Sequence, residues 1–575
     1  MRSRWILAVL VASLVVGCSP SRPAEQPSSG GASAPAARPA ATGPTRATVA
    51  ITAEITNLAS KLEPQRTYGG EYGWISNSPL AFRDETGLGH PLLATALPSR
   101  DNGTWTVGAD GTMATTWTIR PNAKWHDGKP VTGRDFVFAL AVYSHPLIPV
   151  REREPERFMD RVVPQDDNTF VIHWKQPYPW ADVLFTRQFE ALPEHMMGSV
   201  FEAGDMDAFL NHSFWTTTSY VGNGPFRLVQ WDPATSLTYR AFDDYFMGRP
   251  KIDELIVKII PDANTMVSNV LSGAIDGTLG VSLGVNQVAT IRNQWAQTGE
   301  GQVKGFARGF RFLQIQFDPA RSMQPALTDL RVRRAIVSGL DRDSLAEAIT
   351  EGASKTAEAI MPPTDPLYAR LEQAITRYPF DPTRAAAYLQ EAGWNRTPDG
   401  LFSSAGQRFT LDIRDTAGQD SELEANIVAD HLSSLGMQMT QTIVPSARIA
   451  DVEYRVTFPG LNGTGTPIDI PAAMNIAHGD QCATVERRYV GVNRGCWINP
   501  EYDRFYIIAS SSLDPSEREN AVIEAHRVLT DQVGLIGVAY TPETVAVRKG
   551  LVGPGVHWPA QVGTAWNVHT WRWEQ

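Results

Sequence analysis

Between Ser19 and Thr48 the chain has nothing with which to build a core. Of these 30 residues, 22 are Pro, Ala, Ser or Gly, and none is Leu, Ile, Val or aromatic. Such a stretch cannot bury enough apolar surface to offset chain entropy. It reads as a disordered spacer, residues 19–48, between a short leader and a large body. In the leader, Arg2 and Arg4 precede an apolar run from Trp5 to Val16, 12 residues long. A bilayer span needs about 20. A basic start followed by a short apolar run is the pattern of a secretory signal peptide, so the body is expected to be exported.

The leader ends "LVVGC". A small residue before a cysteine, after aliphatic residues, resembles the lipobox of bacterial lipoproteins. The resemblance implies a signal peptide over residues 1–18, cleavage before Cys18, and a lipid anchor on that cysteine. More than one acyl chain makes such an anchor stable. The expected location is the cell envelope, at the outer face of the cytoplasmic membrane or in the periplasm.

In a chain of 575 residues, the body beyond the spacer is too long for one hydrophobic core and should divide into several units. The formal charge is −11, or −13 once Arg2 and Arg4 leave with the leader. No run of five basic residues occurs, so a nucleic-acid partner has no electrostatic footprint. Sixteen tryptophans are good material for a ligand cleft. Cys482 and Cys496 form a late pair. With His478 they could hold a metal, but no CxxC or HExxH spacing supports that. In an exported chain a disulfide is the expected outcome.

The segment "TTWTIRPNAKWHDGKPVTGRDFVFAL" gives the clearest local reading. Thr115–Arg120 alternates as a half-buried strand does. Pro121 to Val131 is rich in turn formers. Thr132 then offers an N-cap, with Asp135 three residues on, before an apolar helix. His126 and Asp127 lie on the turn. Neighbours in an extended turn point apart, which makes them scaffolding and not a catalytic dyad.

This strand, turn and helix closely resembles the signature of family 5 extracellular solute-binding proteins, the dipeptide- and oligopeptide-binding class of ABC importers. Further blocks follow in the family's order: "GNGPFRLVQW" from Gly222, "DDYFMGRPKIDELIVKIIPDANTMVSNVLSGAIDG" from Asp243, and "LTDLRVRRAIVSGLDRDSLAEAITEGAS" from Leu327. "YPFDPTRAAAYLQEAGW" from Tyr378 and the closing helices from Asn499 complete the set. The resemblance implies an α/β, two-lobed periplasmic-binding-protein fold with a hinge and an extra small domain. Lobe I would comprise 48–80, 216–305 and 533–575; the small domain 81–215; lobe II 306–532. "GFRFLQIQFD" from Gly309 suits a strand crossing between lobes. "GQRFTLDIRD", a helix through His431 and "MQMTQTIV" read as β-α-β.

The implied function is capture of a peptide or similar small solute between the lobes, closure by a hinge, and delivery to the permease subunits of an ABC importer. The protein would act as a monomer with no cofactor, no metal and no catalytic residue. No "GxxxxGK[ST]" loop occurs, so the ATPase is a separate chain. Topology nominates Tyr68, Tyr72 and Trp74; Arg311, Phe312 and Gln314 on the crossing strand; and Phe458, Leu461, Asn462 and Asp469 in a glycine-rich cleft loop.

Two features pull elsewhere. "GVSLG" at Gly280–Gly284 matches a nucleophile elbow, which would make Ser282 the nucleophile of an exported hydrolase with partners such as Asp469 and His526. A ligand sensor or chaperone-like protein on the same fold is another alternative. The stretch Tyr454–Asn475 also departs from the family. Peptide-binding members carry an aromatic residue and then an Asp that pairs with the ligand's amino terminus. Here Leu461 or Asn462 stands near the aromatic position, and the acid, Asp469, comes several residues late. A buried amine without its carboxylate is costly. Either a longer loop delivers Asp469, or the ligand is not a free-amine peptide; the family also takes nickel chelates, opines and sugars.

Overall fold

The helix predicted after Thr132 runs Gly133–Ser144. The Asp135 carboxylate accepts the backbone N–H of Thr132 at 2.8 Å and the indole N–H of Trp125 at 3.2 Å. One acid thus starts the helix and ties it to the preceding turn. Elsewhere an Asp or Asn cap followed by proline starts a helix: Asp381 before Pro382–Glu391, Asn499 before Pro500–Ser511 and Asp514 before Pro515–Asp531. The side chain satisfies an orphan N–H, and proline at the first position sacrifices none.

The computed structural model describes residues 44–574 except 53, 56, 60, 63–68, 85–87, 149, 151–154, 185–188, 281, 446, 447, 449, 450, 488, 490 and 555–562. The leader with Cys18, the spacer up to residue 43, and Tyr68 lie outside the described residues. No described helix is long and apolar enough to cross a membrane.

The fold is α/β with two lobes strung on one ten-stranded mixed sheet. In spatial order its strands are Gln438–Val444, Thr410–Thr416, Leu461–Pro467, Gly301–Ile315, Leu535–Arg548, Gly277–Thr278, Arg46–Ile51, Glu254–Ile259, Ser236–Ala241 and Phe226–Asp232. Two strands are unusually long, with 15 residues in Gly301–Ile315 and 14 in Leu535–Arg548. They pair antiparallel from Gly301 opposite Arg548 to Gln314 opposite Leu535, and so belong to both lobes. Thr410–Thr416, the helix Gln419–Ser434 and the parallel strand Gln438–Val444 make the expected β-α-β unit. A separate four-stranded antiparallel sheet is ordered Trp105–Val107, Met113–Thr118, Thr169–Trp174, Met159–Pro164. The helix Gly133–Ser144 packs on it. Its core is continuous with that of lobe I, through residues such as Trp117, Phe136, Trp74 and Val49. Lobe II has its own cores around Leu313 and Phe312.

One local expectation is corrected. The glycine-rich "GLNGTG" is not a loop from Leu461 onward but the strand Leu461–Pro467, paired with both the crossing strand and Thr410–Thr416. The glycines serve packing. A Cβ on Gly463 would sit 2.2 Å from Asp415 Oδ2, and one on Gly460 would sit 2.4 Å from the Asp412 carbonyl. Glycine inside a strand marks such a close approach as readily as it marks a turn.

Candidate ligand-binding cleft

The two long strands that run through both lobes lose register twice, between Ala307 and Gly309 and between Arg311 and Phe312. A Cβ on Gly309 would lie 2.1 Å from Thr541 Oγ1, so the strands approach closely here. Beside it Arg308 forms an ion pair with Glu543, whose side chain is fully enclosed. Two strands, two irregularities and one ion pair with an enclosed acid are the parts a hinge needs: few residues absorb the change while both flanking cores stay intact.

At one corner of the cleft, residues from distant stretches converge. Trp74, on the helix Gly69–Ser76, is buried and meets Phe82 edge-on at 6.0 Å. Phe82 also lies against Trp566 at 5.1 Å and stacks on His90 at 5.3 Å. The indole N–H groups of Trp74 and Trp566 are buried with no acceptor among the described residues. Beside Phe82, Arg83 lays its guanidinium over the Trp180 ring, 3.9 Å from the centroid. Arg518, from the lobe II helix Pro515–Asp531, lies 4.9 Å from the same ring, and nearby Leu513 packs against the lobe I core. The lobes therefore touch at this corner. Burial lowers the pKa of Arg83, while the carboxylates of Asp182 and Asp469 act to raise it.

The lobe II wall is polar behind its surface. Arg311 donates to Asp415 at 2.5 Å, Glu424 at 2.6 Å and Ser421 at 3.4 Å. Burial pushes Glu424 up to about 7, with Arg311 opposing the shift and Asp415 adding to it. Gln314 and Asn462 face each other on adjacent strands. Gln314 Nε2 donates to the Val492 carbonyl at 2.9 Å, while Gln314 Oε1 and Asn462 Nδ2 are buried without partners among the described residues. Phe312 stacks on Phe310 at 5.2 Å in a lobe II core, and Leu461 lies in the other lobe II core. Phe458 is fully buried, and its carbonyl accepts from Gln316 at 2.8 Å. Asp469 follows the strand Leu461–Pro467 and is half-buried. Of Tyr72, only its place on the helix Gly69–Ser76 is described. Arg311 is thus fully engaged by acids, and of the nominated residues Asp469 and Trp74 lie nearest the corner where the lobes touch.

The model for bacterial extracellular solute-binding proteins, family 5, matches residues 90–476. The chain belongs to this family. An oligopeptide-binding protein of Bacillus subtilis, AppA, is 24% identical over 481 residues, covering 80% of this chain and 81% of that protein. Two solved structures share the fold. One is an oligopeptide-binding protein of Thermus thermophilus complexed with a pentapeptide (22% identity, TM-score 0.70, covering 92% of this chain and 96% of that one). The other is NikZ of Campylobacter jejuni in complex with Ni(L-His) (18% identity, TM-score 0.71, covering 92% and 99%). The family and these neighbours are binding proteins.

The family's signature residues are structural in this solute-binding protein. His126 is buried; its Nδ1 accepts from the Gly222 N–H at 3.2 Å, so Nε2 carries the proton and donates to the Gly224 carbonyl at 3.0 Å. Burial lowers its pKa to about 4. Asp127 turns away and pairs with His195 at 2.8 Å. A Cβ on Gly222 would be 2.0 Å from the Ser76 carbonyl, which explains the glycine in "GNGP". The hydrolase constellation does not assemble. Ser282 is buried and its hydroxyl donates to the Leu279 carbonyl. His526 is buried in lobe II, its Nδ1 bonded within its own helix to the Val522 carbonyl. Cys482 and Cys496 form a disulfide and so are not metal ligands.

Arg83, Trp180, Asp182, Trp566 and Arg518 were not foreseen. They come from four stretches with no shared local pattern, and only the tertiary fold brings them to one place. The Trp in "YPWAD" was the one available signal.

Proposed function

We propose that this protein is the capturing subunit of an ABC importer, tethered through lipidated Cys18, acting as a monomer, and delivering a peptide or similar small solute to a membrane permease. The observation that carries the reading is the interlobe corner. Two lobes share two long strands with irregular pairing, and aromatic and charged side chains from both lobes line a place where they meet. Ligand and lobes close together, and water leaves as they do. Relatives named for oligopeptide and dipeptide binding support the cargo class, as does the aromatic corner. Domain limits of 48–80, 216–305 and 533–575 for lobe I, 81–215 for the small domain and 306–532 for lobe II are part of the same proposal.

A thermal-shift panel of di- to hexapeptides, amino-blocked peptides, sugars, opines and nickel chelates tests it. A ligand at 1,000 times its Kd adds about 4 kcal/mol to stability. Stabilisation by free-amine peptides supports the peptide reading, and stabilisation by another class alone replaces it. Ser282→Ala should leave ligand affinity unchanged and stability lower by about 1 kcal/mol, since one buried hydrogen bond is lost. An esterase or peptidase activity abolished by that change would favour the hydrolase instead. Incorporation of labelled fatty acid, lost in Cys18→Ala, checks the anchor.

A further inference from the structure

We propose that a cavity in lobe II, apart from the interlobe corner, is a second binding site and takes a phosphate-bearing anion. The cavity measures about 240 Å³. Its wall is built from the helices Leu330–Ser338 and Pro382–Glu391 and from the connector 375–381 that leads into the second of them. The proposal does not depend on what the cleft binds.

Three observations carry it. First, three arginines line this one cavity, each from a different element: Arg334 from the helix Leu330–Ser338, Arg377 from the connector and Arg384 from the helix Pro382–Glu391. The chain as a whole carries a formal charge of −11, so the cluster runs against the average. Like charges gathered around a void repel one another unless an anion offsets them. Second, the acids that accompany these arginines stand behind them and not in the wall. Arg334 meets Asp531 at 3.5 Å, Arg384 meets Glu391 at 3.8 Å and Arg377 pairs with Glu372, and none of the three acids lines the cavity. The first two separations exceed the usual hydrogen-bond range, so neither pair is a tight one. Arg334 adds only long contacts, to the Tyr378 hydroxyl at 3.3 Å and the Asp531 carbonyl at 3.4 Å. The one carboxylate in the wall among the described residues, Asp381, accepts the backbone N–H of Arg384 at 2.8 Å as the cap of its helix. Third, the remaining wall suits an ester of an oxyanion. Ser338 and Tyr388 bring hydroxyl groups, and Arg384 lies over the Tyr388 ring, 4.2 Å from its centroid, which orients the guanidinium. Phe380, between the lining residues Pro379 and Asp381, is 49% exposed and offers an apolar face at the rim.

Shape favours phosphate over carboxylate. A carboxylate offers two oxygens in one plane and matches a single guanidinium fork. Donors on three elements around a cavity match a tetrahedral group whose oxygens point in several directions. Two sources supply that chemistry: a soluble phosphate ester, and the phosphodiester headgroup of an anionic lipid, which a protein tethered as proposed above would meet.

The test is calorimetric titration of the full chain at fixed ionic strength with glycerol 3-phosphate, dihexanoyl phosphatidylglycerol, dihexanoyl phosphatidylcholine and acetate. Each is repeated on Arg377→Gln, on Arg384→Gln, on the double variant and on Arg572→Gln, an exposed arginine that pairs with Glu574 and does not line the cavity. Arg377 and Arg384 are exposed, so the single variants should fold, and circular dichroism melts check each one. The expected result is that glycerol 3-phosphate or phosphatidylglycerol binds about 10-fold or more tightly than acetate. Each single change should weaken that binding by about 3-fold or more, the double variant should lose the preference, and Arg572→Gln should keep it. Tighter binding of phosphatidylglycerol than of glycerol 3-phosphate assigns the site to a lipid headgroup, and the reverse order assigns it to a soluble ester; both support the site. If only the lipids bind, and phosphatidylcholine as tightly as phosphatidylglycerol, acyl chains are being read and the site is overturned. No preference for phosphate over acetate, absence of binding included, overturns it, as does a preference that survives the double variant or falls equally in Arg572→Gln. The cleft reading stands or falls separately, on its own panel.

Discussion

His126 commits both ring nitrogens to backbone, and that arrangement has a pH signature. The imidazole is neutral in the fold, with a pKa of about 4 set by burial, against about 6.5 in an unfolded chain. The unfolded state therefore binds a proton first as pH falls. The stability His126 contributes is complete above about pH 6.5 and is lost as pH drops toward 4. Denaturant unfolding at pH 7 and pH 5, compared between the protein and His126→Gln, should show the cost of the substitution shrinking by about 2 kcal/mol at the lower pH. A pH-independent cost would mean that the ring is already charged or exposed. The scaffolding role was legible from position alone, because a turn between a strand and a capped helix points neighbouring side chains apart. The partner of the ring was not, since Gly222 and Gly224 lie almost a hundred residues downstream.

Among elements, the strand Leu461–Pro467 is the instructive case. Three glycines in the segment Gly460–Gly465 argue locally for a loop. The strand exists because tertiary pairing on both edges overrides propensity, and because bare backbone at Gly463 admits the Arg311, Asp415 and Glu424 cluster. Gly463→Ala would force a Cβ into the Asp415 carboxylate and loosen a buried ion pair. We expect a loss of about 3 kcal/mol or more, read as a lower denaturation midpoint, since breaking such a pair costs 3–5 kcal/mol. A loss below about 1 kcal/mol would show that the strand can shift away. Elements whose signals are local were legible: the capped helix Gly133–Ser144 and the β-α-β unit. Glycine is where the local signal misleads, because one residue type serves both turns and close approaches.

For the whole molecule, ordered blocks along the chain carried the architecture, and a two-lobed fold could be read from them. The cleft was much less legible. Arg83, Trp180 and Arg518 are separated by hundreds of positions in part, and what joins them is lobe geometry: a long pair of crossing strands, a small domain fused to the core of lobe I, and a lobe II helix that reaches across. Arg311, by contrast, looked available on its strand yet is held by two acids and a serine. The central claim is that solute capture and lobe closure are one event. Small-angle X-ray scattering of the protein, free and saturated with whichever panel member stabilises it most, tests this most directly. The account predicts that the radius of gyration and the maximum dimension both fall on binding. A ligand that binds tightly while leaving the scattering curve unchanged would contradict it.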